Sequence, residues 1–475
     1  MINDLRDWIS AVERLGDLKR VEGAHWDGEI GAIVDLYQRQ MGLPALLFDR
    51  VPGYPEGYRI LANSMTSVKR IALSFGLDPA GTALDVVRFW RRYEKEKKKI
   101  APRIVAGGPV LENVQRDGEL DLWKFPVPKW HELDGGRFIG TGCLVIMQDP
   151  DSEWINAGVY RVQAHDRDLA SVMISRGKHG DIIMQKYFER GRTCPVVVTV
   201  GQDPLLYMVG GMEVPYGTTE YDVAGGLRGH PLDLVRGDVT GLPFPNDAEI
   251  VLEGEIRPGD VVDEGPFGEW TGYYASGVRR QPVIRVKRVY HRDDPIILGA
   301  VPAPPPCDDT YYRGFLRVAS VWDQLEGAGI PGVKGVWAHE AGGGRFMLTV
   351  AIQQLYPGHA KQVGLVASQV HAAAYANRYT IVVDEDIDPT DINQVIWALS
   401  TRVDPQEDVD IIKRCWSTAL DPMSYPRGEN VFNSRMIIDA CRPWERLKDF
   451  PAVARASEAM VRRVREKWPE LFRFQ

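Results

Sequence analysis

The chain has 475 residues, 44% hydrophobic and 26% charged, with a formal net charge of −8. At about 100–200 residues per domain this length predicts two to four domains with ample core, excludes a small stapled scaffold, and the acidic balance gives no global pull towards nucleic acid. The five cysteines, Cys143, Cys194, Cys307, Cys415 and Cys441, are odd in number and form no CxxC pair, which argues against a disulfide framework or zinc cluster and for a reducing compartment. No stretch approaches ~18 consecutive apolar residues and the N-terminus has no basic segment leading into an apolar one, so a cytoplasmic, enzyme-sized protein that spans no membrane is expected.

Leu5, Trp8, Ile9, Val12 and Leu15 recur at helical spacing, which predicts an opening amphipathic helix with Asn3 as its cap and Gly16 just past its end. The run 91–99, six cations against two carboxylates, reads as a solvated helix end, with a domain boundary near residue 100. From Gly108 to Pro306 short β-rich runs dominate (TGCLVIMQ, EWINAGVYRVQ, DLASVMIS, PVVVTV, AEIVLEGEI, PVIRVKRVY), and such repetition predicts a barrel or sandwich core. The proline-rich AVPAPPPCDD at 300–309 reads as a stiff connector. Beyond it FMLTVAIQQ, HAKQVGLVASQVHAAAYA, TIVVDEDIDP and TDINQVIWALS alternate strand and helix, the pattern of a right-handed βαβ unit. The run Asp384-Glu385-Asp386 reads as a loop at a strand end, with Asp388 or Thr390 capping the next helix. AVARASEAMVRRVREKW predicts a terminal helix suited to packing across a subunit boundary.

Several familiar chemistries are excluded. Gly342-Gly343-Gly344 is followed by Arg345-Phe346 rather than the lysine of a P-loop, and Gly135 and Gly343 stand where a second histidine would complete HExxH after His131-Glu132 and His339-Glu340. No serine sits in GxSxG, and Gly225-Gly226-Leu227-Arg228-Gly229 lacks the strand-to-helix setting of a dinucleotide fingerprint.

The strongest chemical signal is Glu264-Gly265-Pro266-Phe267-Gly268-Glu269, two carboxylates around a Gly-Pro turn that can bring both to one point. In a dry site their repulsion raises the proton affinity of one, giving an acid and a base together, with a nearby cation needed to keep the other ionised. In Asn156-Ala157-Gly158-Val159-Tyr160-Arg161, strict alternation puts Asn156 and Arg161 on opposite faces, so both serve one site only if Gly158 marks a bulge or bend. Asparagine oxygen, the imidazole of His179 and the carboxylate of Glu220 together suit manganese or magnesium with room for phosphate oxygens.

Taken together, NAGVYR at 156–161, KHG at 178–180, TEYDVAGGLRG at 219–229, EGPFGEWTGYY at 264–274, GHAK at 358–361 and DEDIDPTD at 384–391 closely resemble the UbiD-type decarboxylases that use prenylated FMN. The resemblance implies an α+β multidomain fold: an N-terminal α/β region over 1–100, a central flavin-binding split β-barrel over 101–306, and a C-terminal α/β oligomerisation domain over 307–475 ending in a helix. It implies a reversible non-oxidative decarboxylase of an aromatic, heteroaromatic or α,β-unsaturated carboxylic acid, acting through a covalent adduct between substrate and cofactor. Asn156, His179 and Glu220 would hold a divalent metal (Mn2+ or Mg2+) that bridges to the flavin phosphate, with K+ nearby. Lys361 would approach that phosphate, and Thr141, Arg161 and Lys178 would line the cofactor. Arg161, Glu264 and Glu269 match the catalytic triad, with Glu269 as proton donor. The partners implied are the carboxylic acid and CO2, a flavin prenyltransferase as cofactor supplier, and further copies of the chain in a dimer or hexamer. The alternative is a noncatalytic subunit of a larger (de)carboxylase complex.

Overall fold

The computed structural model describes residues 2–212, 214–424 and 431–472. The opening helix forms over Leu5–Arg14 with Leu5, Trp8, Ile9 and Val12 buried on one face. Its cap is Asp4 rather than Asn3, because the Asp4 carboxylate reaches back to accept the Asp7 N–H at 2.7 Å while the Asn3 N–H donates to Asp7. This helix covers a mixed four-stranded sheet ordered Leu18–Glu22, Ala45–Asp49, Arg59–Ala62 and Ile296–Leu298. The last strand comes from the far end of the central segment, so the N-terminal region is completed by residues remote in sequence.

The β-rich middle forms one curled sheet in which every neighbouring pair is antiparallel. Its path runs Arg137–Gly140, Arg161–Ala164, Leu169–Met173, Arg279–His291, Ile250–Glu264, Cys194–Val200, Cys143–Gln148 and Ile155–Gly158, with Asn113–Gln115 added beside Arg279–His291. Ile155–Gly158, at one end of this path, carries Asn156, and Arg161–Ala164, next to the other end, begins with Arg161. A small sheet of Arg103–Ile104, Asp233–Arg236 and Pro243–Pro245 flanks it.

After the proline-rich segment a helix runs over Asp308–Gly327, burying Tyr311, Tyr312, Phe315, Val318, Trp322 and Leu325. Its first turn is tied to the N-terminal region, where the Met65 N–H donates to Asp308 at 2.6 Å. Its far end meets the charge run: the helix Ala83–Glu96 does end there, but Arg91 is not merely solvated, since it pairs with Asp323 and Glu326 and lies 4.3 Å from the Trp322 ring.

In the C-terminal sheet, Met347–Ile352 and Tyr379–Asp384 pair in parallel across the helix His359–Gln369, the expected βαβ unit, although the helical run breaks at Val370 before a short turn at His371–Ala374. Phe432–Ala440 and Val409–Trp416, unread in the sequence, extend this sheet, and Val333–Ala338 edges it on the other side. The cap of the helix Ile392–Arg402 is Asp391, not Asp388 or Thr390; Asp388 instead closes the preceding turn by accepting from Thr390. Asp384 is the anchor of an ion-pair net with Arg402 and Arg442. The terminal helix is shorter than its sequence pattern, Glu458–Lys467, and buries none of its residues. All five cysteines are buried free thiols, and among the described residues no helix is long and apolar enough to cross a membrane.

Candidate active site

Two groups of side chains grow from one interrupted strand. The strand Ile155–Gly158 pairs with Cys143–Gln148, whereas Arg161–Ala164 pairs with Leu169–Met173 and Arg137–Gly140, so the chain changes neighbours at Val159-Tyr160. That break frees Asn156 and Arg161 from strict alternation. Gly158 permits it, because a Cβ there would lie 2.7 Å from the Tyr160 ring.

The first group centres on Glu220. Thr219 caps the helix Glu220–Arg228, which puts the Glu220 carboxylate at the positive end of a helix, 2% exposed. It accepts from the Asn156 amide at 2.9 Å and from the Ala157 N–H at 2.7 Å. Burial pushes its carboxyl up to about 7, opposed by hydrogen bonds from Ala157, its own N–H and Asn156. His179 opens the helix His179–Glu189, with its ring edge-on to both Trp154 at 5.2 Å and Tyr216 at 5.6 Å. The Tyr160 hydroxyl bridges the two elements, accepting from Gly180 N–H at 3.2 Å and lying 3.4 Å from Asn156 Oδ1. Lys178 is the cap residue of the His179 helix.

Of the other expected cofactor residues, Thr141 is buried and its hydroxyl accepts from Ala300 N–H at 3.0 Å, which fixes the segment leading into the proline-rich connector. Lys361 sits elsewhere: on the helix His359–Gln369 its ammonium pairs with Asp410 of the neighbouring strand and touches none of the other candidates.

The second group is an ion-pair triad. Arg161 grips Glu264 through two bonds, Nε to Oε1 at 2.8 Å and Nη2 to Oε2 at 3.0 Å, and reaches Glu269 Oε1 with Nη1 at 3.1 Å. Glu264 ends the long strand Ile250–Glu264 and is 1% exposed. Between the carboxylates Phe267 is buried against Phe138, ring centroids 4.1 Å apart, and under the Arg161 guanidinium, which folds the turn so that both carboxylates face one cation. Burial raises the Glu269 carboxyl above its ordinary value; Arg161 pulls the other way, and Asp309 adds to the rise. One arginine thus holds both carboxyl groups at one point, and burial moves Glu269 towards its protonated form, the direction a proton donor needs.

Trp270, next to Glu269, stacks on Phe346 at 5.0 Å, with Arg345 5.3 Å from its ring. A narrow cleft lined by Trp270, Asp309, Arg313, Arg317 and Gly343 separates the loop from the linker helix. The triad lies where the central sheet meets the C-terminal segment. Sequence reasoning missed Trp154, Tyr160 and Tyr216 around His179, and Gln163 and Asp134 behind the triad; only Gln163 carried a signal, since it sits two residues after Arg161 on the same strand face.

The donor set fits a divalent cation with a phosphorylated cofactor. A buried carboxylate, an amide oxygen with one long hydrogen bond, and an imidazole are hard to borderline ligands. Among the described residues no group of three or more His, Cys, Asp or Glu side chains is placed to hold a metal ion.

Family models match three stretches: the 3-octaprenyl-4-hydroxybenzoate carboxy-lyase N-terminal domain at 9–90, its Rift-related domain at 103–305 and its C-terminal domain at 310–440. The chain belongs to the UbiD family of carboxy-lyases. It is 33% identical to pyrrole-2-carboxylic acid decarboxylase of Pseudomonas aeruginosa over 98% of both chains. Among solved structures it is similar to vanillic acid decarboxylase of Sedimentibacter hydroxybenzoicus in its open form (TM-score 0.86, 30% identity, 99% of each chain). It is also similar to the UbiD-class enzyme HmfF of Pelotomaculum thermopropionicum in complex with FMN (TM-score 0.85, 28% identity, 96% of this chain and 98% of that one). An evolved dimeric form of HmfF is in complex with prFMN.

Proposed function

We propose that this chain is a prenylated-FMN-dependent decarboxylase of an aromatic, heteroaromatic or α,β-unsaturated carboxylic acid, built as regions 1–100, 101–306 and 307–475. The observation that carries this reading is Arg161 holding Glu264 and Glu269 at once, with Glu269 shifted towards its protonated form. Asn156, His179 and Glu220 would hold Mn2+ or Mg2+, with K+ as a second ion, and Thr141, Arg161, Lys178 and Lys361 would bind the flavin cofactor. The prenylated flavin, supplied by a flavin prenyltransferase, provides the electron sink that makes loss of CO2 feasible.

The chain's own residues do the rest. The Arg161 guanidinium orients the substrate carboxylate while pairing with Glu264 and Glu269. Glu264, fixed by two bonds, keeps that guanidinium in place. Glu269 gives its proton to the carbon that CO2 leaves, and recovers one from solvent before the next turnover. The packing of Trp270 against Phe346 keeps water from the reacting carbon. The same proton steps run in reverse at high CO2. The exposed apolar residues Met460, Val461, Trp468, Leu471 and Phe472 of the terminal segment fit contact with a second copy, in a dimer or hexamer.

Protein co-produced with a flavin prenyltransferase tests the reading against a panel of pyrrole-, hydroxybenzoic, furan- and cinnamic-type acids. CO2 release from at least one is expected, and Glu220→Gln in the same preparation is expected to lose bound metal, flavin and turnover together. Full flavin and metal content in Glu220→Gln would remove Glu220 from the metal site.

A further inference from the structure

We propose that Gln163 and Asp134 are positioning residues that set the place of Glu269, gripping the loop between Glu264 and Arg279 from both sides through a strap at Asp134–Gly136. The inference rests on the proton-donor role given to Glu269 above.

The grip on the near side is on the backbone. Gln163 follows Arg161 on the same strand, and its side chain shares the face from which Arg161 reaches the two carboxylates. Its Oε1 accepts from the Gly265 N–H at 3.0 Å in a buried setting, and its Nε2 donates to the Gly135 carbonyl at 3.4 Å. Gly135 N–H in turn donates to the Pro266 carbonyl at 2.8 Å. The strap lies directly on the turn: a Cβ at Gly135 would stand 1.8 Å from the Gly265 carbonyl oxygen, so no other residue fits there. The glycine that excludes HExxH is thus the residue that lets the strap touch the catalytic turn.

The grip on the far side is through a side chain. Asp134, 4% exposed, is fixed by the His131 N–H at 2.9 Å and accepts from the Tyr274 hydroxyl at 2.8 Å. Tyr274 follows a tight turn in which Glu269 N–H donates to Tyr273 O at 3.1 Å and Gly272 N–H to Glu269 O at 2.8 Å. Holding Tyr274 therefore holds the backbone of Glu269. The carboxyl of Glu269 bonds to Arg161 and, at 3.5 Å, to the Ser276 hydroxyl, whereas Gln163 and Asp134 meet the loop at Gly265 and Tyr274. They act through the loop, and an error of about 1 Å at a proton donor costs on the order of 10²-fold in rate.

The test uses the flavin-loaded enzyme and four variants: Tyr274→Phe, which removes one hydroxyl; Gln163→Leu, which removes both amide bonds; Asp134→Ala, which removes the acceptor; and the Asp134→Ala/Tyr274→Phe pair. The readouts are kcat against pH, bound flavin per chain and melting temperature. Each single variant is expected to lower kcat about tenfold and to displace the alkaline limb of the profile, with flavin content unchanged, and the pair is expected to be little worse than either single change, since both break one bond. A kcat within twofold of the parent in Tyr274→Phe and Gln163→Leu, or a fall that follows flavin loss or melting temperature with the limb unmoved, overturns the proposal. Glu269→Gln run alongside separates the two readings: if it is inert while the other variants match the parent, only the positioning role fails, and if it turns over like the parent, the proton-donor reading itself has failed.

Discussion

Glu269→Gln is expected to lower CO2 release from the flavin-loaded enzyme by about 10²–10⁴-fold, the usual contribution of a positioned acid. Glutamine keeps the shape and can still sit beside Arg161, so flavin and metal content should hold. The pH profile gives a second signature. Burial outweighs the pull of Arg161, and the Glu269 carboxyl is raised. A raised pKa widens the range in which the acid form persists, and a proton donor works only in that form. Turnover in the parent enzyme is therefore expected to decline as pH climbs through the raised value, and residual turnover in the glutamine variant should lack that limb. Incorporation of solvent deuterium at the carbon that loses CO2 checks the same step. Unchanged incorporation in the variant would assign the proton to another group.

Arg161→Met is expected to lose both turnover and stability. Arg161 is the cation that both Glu264 and Glu269 share, and the Glu264 side chain is 1% exposed. Removing one partner of a buried pair leaves an uncompensated charge and costs about 3–5 kcal/mol, whereas replacing both partners is far milder. Denaturant unfolding of the cofactor-free protein should show that loss in Arg161→Met and recover much of it in Arg161→Met/Glu264→Gln, while turnover stays absent in both. A single variant as stable as the parent would mean that the Arg161–Glu264 contact adds nothing to folding, and the part given to Arg161 in holding the two carboxyl groups together would have to be reassigned.

Much of this architecture is legible in the residues. The β-rich runs between 143 and 291 form the curled sheet, and the strand and helix alternation after 346 forms the parallel pair, because hydrophobic period and turn residues agree there. The conflict between Asn156 and Arg161 was visible as an alternation problem, and Gly158 marked the break that resolves it. What escaped depends on partners distant in sequence. Ile296–Leu298 is three residues long and joins a sheet whose other strands precede residue 63, a pairing no local pattern carries. Phe432–Ala440 and Val409–Trp416 mix polar and apolar residues because they lie towards one edge of their sheet, with several side chains exposed. Arg91 looked solvated among like charges because Asp323, Glu326 and Trp322 arrive from a helix more than two hundred residues on.

The central claim is that Asn156, His179 and Glu220 bind a metal and a prenylated flavin beside the Arg161–Glu264–Glu269 triad. Its most direct test is the absorption spectrum and mass of the small molecule released from protein co-produced with a flavin prenyltransferase, with the metal content of the same sample. The account predicts prenylated FMN with a divalent metal in near-equal amount, and neither in excess of the other. Folded protein that carries no flavin under those conditions would contradict it and favour a noncatalytic subunit.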